Sequence, residues 1–152
     1  MTGAEAMVRM LQLHGVKHIF GLCGDTSLPF YDALARLDHG ITHILTRDER
    51  SAAYMADGYA RVSGRVGICE GPSGGGATYL LPGIVEANES SIPVLGITTD
   101  IATTSRGRYT LTELDQEALY RMMEQLLRRR KLARDLIEFA WKSSRAPFPN
   151  WK

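Results

Sequence analysis

Residues 41–64 read ITHILTRDERSAAYMADGYARVSG. The first six are mostly β-branched and apolar, the composition of a short strand. From Glu49 the period changes: Ala52, Ala53, Met55, Ala56 and Tyr59 recur at helical spacing, Asp48 stands at the N-cap position, and Gly64 follows the last periodic residue. A carboxylate accepts from the orphan N–H groups of a first turn, and a glycine adopts the left-handed conformation that ends a last turn. The spacing therefore predicts a helix over 49–62 entered directly from a strand over 41–46.

The same alternation extends in both directions. Upstream, Thr2 can cap a helix carrying Ala6, Met7, Met10, Leu11 and Leu13 and ended by Gly15; an apolar run over 18–22 and a helical pattern over 28–37 follow. Downstream come a strand over 66–69, a glycine turn Gly71-Pro72-Ser73-Gly74-Gly75-Gly76, a helix over 77–88, and a strand over 92–98 with Pro93 near its start. Short apolar strands alternating with helices define the α/β class, here a three-layer parallel sheet flanked by helices. No repeat at a period of 20 to 50 residues suggests a solenoid.

With 152 residues, 44% hydrophobic and 23% charged, the chain has the balance of one soluble globular domain. Residues 1–13 are amphipathic, without the basic start and small-residue cleavage site of a secretory signal, and no apolar run approaches the roughly 20 residues that span a bilayer. Cys23 and Cys69 stand apart and outside any CxxC pair, which favours a reducing compartment over a disulfide framework. The expected location is cytoplasmic, with no membrane partner.

Charge is uneven along the chain. Residues 1–120 hold nine Lys/Arg against fourteen Asp/Glu, whereas 121–152 hold nine against three. The break divides the chain into a domain over 1–120 and a basic tail over 121–152. In the tail Met122, Met123, Leu126, Leu127, Leu132, Ala133, Leu136, Ile137, Ala140 and Trp141 recur at about four-residue spacing, which predicts helix. Arg128-Arg129-Arg130-Lys131 is too short a basic run to mark a nucleic-acid site and reads as a solvated helix face. His14, His18, His39 and His43 lack metal-ligand spacing; they read as surface or packing residues, and no metal ligand is assigned.

Glu49 falls where a strand ends and a helix begins, at the edge where open α/β sheets bind ligands. An acidic residue in a first helical turn is also what the helix dipole favours, so locally both readings stand. The glycine turn lets a ligand approach the backbone closely. It lacks a P-loop lysine, and Tyr79 occupies the third-glycine position of a GxGxxG spacing that starts at Gly74, so local evidence favours a plain tight turn over a nucleotide-phosphate site.

Four segments taken in order narrow this choice: Phe20-Gly21-Leu22-Cys23-Gly24-Asp25, the run from Arg47 to Arg61, Gly71 to Thr78, and Ile92-Pro93-Val94-Leu95-Gly96-Ile97-Thr98. In order and spacing they resemble the N-terminal, pyrimidine-binding domain of thiamine-diphosphate-dependent enzymes of the acetolactate synthase type, over roughly residues 3–120. Met55-Ala56-Asp57-Gly58-Tyr59-Ala60-Arg61 is the most distinctive piece. The resemblance implies that Glu49 is catalytic: the matching glutamate hydrogen-bonds a ring nitrogen of the cofactor's aminopyrimidine and promotes its imino tautomer, and the cofactor then carries the carbon chemistry of a small 2-oxo acid. That role needs a proton near neutral pH, hence burial, against the pull of the helix N-terminus.

By the same resemblance Cys23, Gly24, Pro72, Gly75 and Tyr79 join Glu49 around the pyrimidine end of thiamine diphosphate. The chain departs from the family pattern at Cys23, where proline is common, at Gly75 and Tyr79, where relatives read Gly-Pro-Gly-Ala-Thr-Asn, and at Thr112, where glutamine is common. In the family, Mg²⁺ and diphosphate are held by a C-terminal domain with a Gly-Asp-Gly motif, which this sequence lacks. Mg²⁺ is thus expected only through a partner, in a homo-oligomer or with a separate diphosphate-binding chain, and the chain alone is expected to be inactive. The charge break near Arg121 points to a truncated copy of a longer gene, with a natural two-chain enzyme as the competing explanation. An exposed apolar face is expected where the partner docks. A non-catalytic α/β binding or interaction module that keeps the fold is the alternative reading.

Overall fold

The computed structural model describes residues 1–127. Met1–Gln116 is one compact unit, and a second unit begins at Glu117. The expected α/β architecture is borne out: four parallel strands in the order β2-β1-β3-β4, with helices on both faces. In chain order the elements are α1 (Gly3–Leu13), β1 (His18–Gly21), α2 (Leu28–Arg36), β2 (Thr42–Leu45), α3 (Glu49–Ser63), β3 (Gly67–Gly71), α4 (Gly75–Glu89), β4 (Val94–Thr98) and α5 (Gln116–Leu127).

The capping chemistry forms as the sequence dictates. Thr2 and Glu5 close a reciprocal capping box on α1. Asp48 accepts from the Arg50 N–H at the start of α3, and Gly64 ends that helix at φ +67°. Val8, Leu11, Ile19, Phe30, Ala33, Ile41, Ile68 and Ile97 form one core, which places α1 and α2 on one face. On the other, Phe20, Ala52, Ala53, Ala56, Cys69 and Leu80 bring α3 and α4 down onto the sheet.

This second layer is unusually close. A Cβ at Gly67 of β3 would lie 2.0 Å from the carbonyl oxygen of Ala56, and one at Gly83 of α4 would lie 2.5 Å from the Cβ of Ala53. Only alanine on α3 facing glycine on its neighbours permits such an approach, and the seam fixes where the first turn of α3 points.

Three boundaries differ from the sequence reading. The strand expected over 66–69 continues to Gly71, because Glu70 and Gly71 pair in register with Ile97 and Thr98; a charged residue and a glycine read as turn, yet both are buried. The glycine turn is correspondingly shorter, since α4 already starts at Gly75. The last strand begins at Val94 rather than residue 92, and Pro93, which has no N–H to give the ladder, accepts from Gly67 instead.

The tail expectation is met as backbone helix in α5 up to Leu127, and its continuation from residue 128 lies outside the described residues. Among the described residues no helix is long and apolar enough to cross a membrane.

Candidate functional site

From β1 the chain crosses to β2 along one face and returns past β1 to β3 along the other. The loops after β1 and β3 therefore diverge at the carboxyl ends of adjacent strands, the position where open α/β sheets form a crevice.

Glu49 enters this region from the first turn of α3. Its side chain is 9% exposed and lies against glycine backbone: a Cβ at Gly71 would sit 3.3 Å from its Cγ, and one at Gly76 would sit 3.1 Å from Oε1. A carboxyl drawn mostly out of water is costly unless a partner satisfies it.

Pro72 packs at the centre of the same wall. A Cβ at Gly24 would stand 2.6 Å from the Pro72 ring and one at Gly76 2.5 Å from it, whereas Gly75 faces open space. The turn holding Pro72 is pinned: the Ser73 N–H donates to Thr26 Oγ1 at 2.9 Å, Ser73 Oγ and Thr112 Oγ1 are 2.6 Å apart, and Gly74 turns at φ +68°. Thr112 thus supports the wall rather than standing apart from it.

Glu49, Gly24, Pro72 and the 75–76 backbone are therefore brought together. Cys23 is exposed beside Gly24, and burial together with the Glu70 charge raises its thiol above the ordinary range. Tyr79, 49% exposed and one turn into α4, lies at the rim, where the Arg50 guanidinium sits 5.3 Å from its ring centroid. Asp48 holds Arg50 there through contacts of 2.8–2.9 Å, and that pairing keeps the Asp48 carboxyl at about 2.

One group escaped the sequence reading. Glu70, the penultimate residue of β3, is fully buried, and its Oε2 accepts from the Tyr31 hydroxyl at 2.7 Å. That hydroxyl also lies 2.8 Å from His43 Nε2. His43 is thus a half-buried, hydrogen-bonded member of the array. Burial pushes Glu70 up to about 7, with the charge of Glu49 adding to it, while hydrogen bonds from Tyr31 and Ser27 act in the opposite direction.

A carboxyl raised in the fold makes stability depend on pH. From the ordinary value of 4.5 up to about 7 the folded chain keeps a proton that the unfolded chain releases. The contribution of Glu70 to stability is therefore full below pH 4.5, falls through that window by about 3 kcal/mol, and is level above it. Glu70→Gln removes the charged form, so urea denaturation should find the variant more stable than the parent at pH 8 by up to about 3 kcal/mol, with the difference vanishing toward pH 4.5. Parallel profiles for the two proteins would contradict the assignment.

Comparison with known proteins bears on the same region. The profile of the thiamine pyrophosphate enzyme N-terminal TPP binding domain matches residues 1–119. The chain is 47% identical over 120 residues to the probable acetolactate synthase large subunit of Methanocaldococcus jannaschii, covering 79% of this chain and 20% of that protein. It is 44% identical over 117 residues to the acetolactate synthase of Arthrospira platensis, covering 76% and 20%. To the acetolactate synthase isozyme 2 large subunit of Escherichia coli it is 42% identical over 115 residues, covering 76% and 21%. The chain thus spans about a fifth of the length of these relatives.

Proposed function

The chain belongs to the thiamine pyrophosphate enzymes through their N-terminal TPP binding domain, and from that premise we propose that residues 1–120 hold the pyrimidine end of thiamine diphosphate in an acetolactate synthase-type enzyme, with 121–152 forming a separate tail. The observation that carries this reading is the Glu49 carboxyl, nearly buried at the head of α3 and lying against the Gly71 and Gly76 backbone.

The donor set fits a flat heterocycle with a basic ring nitrogen. Glu49 supplies a carboxyl beside the 71 and 76 backbone, Pro72 an apolar surface, and Gly24 and Gly75 walls without side chains. Cys23 and Tyr79 border the opening. When bound, thiamine diphosphate would supply a nucleophilic thiazolium carbon for the carbonyl of a small 2-oxo acid and a cationic ring to take up the electrons released on decarboxylation. The part of this chain is to orient the ring and to present the Glu49 carboxyl to its basic nitrogen.

Mg²⁺ and the diphosphate belong in this scheme to a partner, either a further copy in a homo-oligomer or a separate diphosphate-binding chain. Tyr54, Met55 and Tyr79 are exposed on α3 and α4, an apolar surface suited to that contact.

The test is a titration of the 152-residue chain with a 4-aminopyrimidine carrying the cofactor's methyl and hydroxymethyl groups, followed by amide chemical shifts. Weak binding is expected, with shifts confined to residues 23–24, 49 and 71–79 and lost in Glu49→Gln. Shifts elsewhere, or none at millimolar pyrimidine, would refute the assignment.

A further inference from the structure

Glu70, Tyr31 and His43 come from β3, α2 and β2 and meet on the α1/α2 face of the sheet, beneath the crevice. Glu70 has no exposed surface, Tyr31 and His43 are partly exposed, and β2 is an edge strand, so the array leads from the sheet edge to a sealed carboxyl. The room for it is built into β1: a Cβ at Gly21 would lie 2.7 Å from Glu70 Oε2 and 3.1 Å from the Tyr31 hydroxyl. Any side chain there would break the array.

We propose that His43, Tyr31 and Glu70 form a proton relay that loads the buried Glu70 carboxyl from the sheet edge, which makes Glu70 a proton store beside Glu49 and a positioning residue for its chemistry. The service to Glu49 rests on the reading of Glu49 given above, whereas the relay itself does not.

The hydrogen bonds admit two directions. With Glu70 ionised, Tyr31 donates to Oε2 and His43 donates from Nε2 to the Tyr31 oxygen. A proton arriving at His43 Nδ1 releases the Nε2 proton to the Tyr31 oxygen, and the Tyr31 proton passes to Oε2. One proton has then entered, Glu70 is neutral, Tyr31 is unchanged, and His43 is neutral with its hydrogen on Nδ1. No side chain has moved.

Two features favour the proton on Oε2. The other oxygen, Oε1, is buried with no partner among the described residues, so a proton there would be a donor without an acceptor, which costs roughly 1–3 kcal/mol. Burial also lowers His43, which keeps the imidazole neutral and able to hand its proton on. The groups that bear on Glu70 are Cys23 from the loop after β1, Ser27 from the turn before α2, Tyr31 from α2, His43 through Tyr31, Cys69 from its own strand and Glu49 from α3. Among the described residues no Lys or Arg forms an ion pair with it, so protonation is the available way to neutralise the charge.

The test needs neither cofactor nor partner. Nitrogen shifts of the His43 ring and the Glu70 carboxyl carbon shift are followed from pH 5 to 9 in the full chain. The expected result is a switch of His43 from the Nδ1–H to the Nε2–H tautomer at the midpoint of the Glu70 titration. In Glu70→Gln the tautomer should be independent of pH. In Tyr31→Phe, Glu70 should still titrate while His43 no longer follows it. A fixed His43 tautomer in the parent protein, or an unaltered switch in either variant, would overturn the relay. Because no thiamine is present, that outcome is distinct from a failure of pyrimidine binding.

Discussion

Glu49→Gln, in an assembly that includes the diphosphate-binding partner, is expected to lower 2-oxo-acid turnover by roughly 10²–10⁴-fold, the range for losing a positioned acid–base group. The amide keeps the shape of the side chain and loses only the ionisable proton. The amide fits the space the carboxyl occupies against the Gly71 and Gly76 backbone, and the urea midpoint should stay close to that of the parent. The pairing of outcomes matters: lost turnover with unchanged stability supports the assigned role. Turnover within a few-fold of the parent would remove Glu49 from the mechanism, and a collapse of stability would show that its role is structural.

The second large effect falls on stability. Gly67→Ala places a methyl carbon 2.0 Å from the Ala56 carbonyl oxygen and 2.6 Å from its carbon. The obstructing atoms are helix backbone, so no side chain can rotate aside, and α3 and β3 must separate. Overpacking of a core typically costs about 1–3 kcal/mol and more where backbone is displaced; a loss of about 3 kcal/mol or more is expected in urea denaturation. Gly58→Ala, within α3 but with no atom inside 4 Å of the added carbon, is the control, and should instead stabilise by roughly 0.5–1 kcal/mol through helix propensity. Equal effects at the two positions would contradict the close α3–β3 seam.

Where the sequence was read correctly, the cause was local. Asp48 and Gly64 carry the chemistry of helix ends in their own side chains, and the alanines from 52 to 60 repeat with the helix period, so α3 is legible without any partner. The order of the four motif segments was equally accessible, because it is linear along the chain, and it led to the family that the comparison then established.

What remained hidden depends on neighbours far away in the chain. Glu70 fell just past the strand expected over 66–69 because charged residues are seldom fully buried without a partner. Its partner is Tyr31, 39 residues earlier, and the pair forms only after β3 takes its place beside β1. His43 offered no spacing to any other ligand-type residue, and its link is again to Tyr31 through space. The pinning of the Pro72 turn by Thr26 and Thr112 joins three loops, and nothing in any one of them announces it.

The glycine–alanine seam also limits how this scaffold can be re-engineered. With no slack behind α3, the depth of the crevice cannot be tuned from below by trading small residues for large ones. A designer seeking room for a bulkier guest would have to remodel the rims, at Cys23, Arg50 or Tyr79, and leave the foundation untouched.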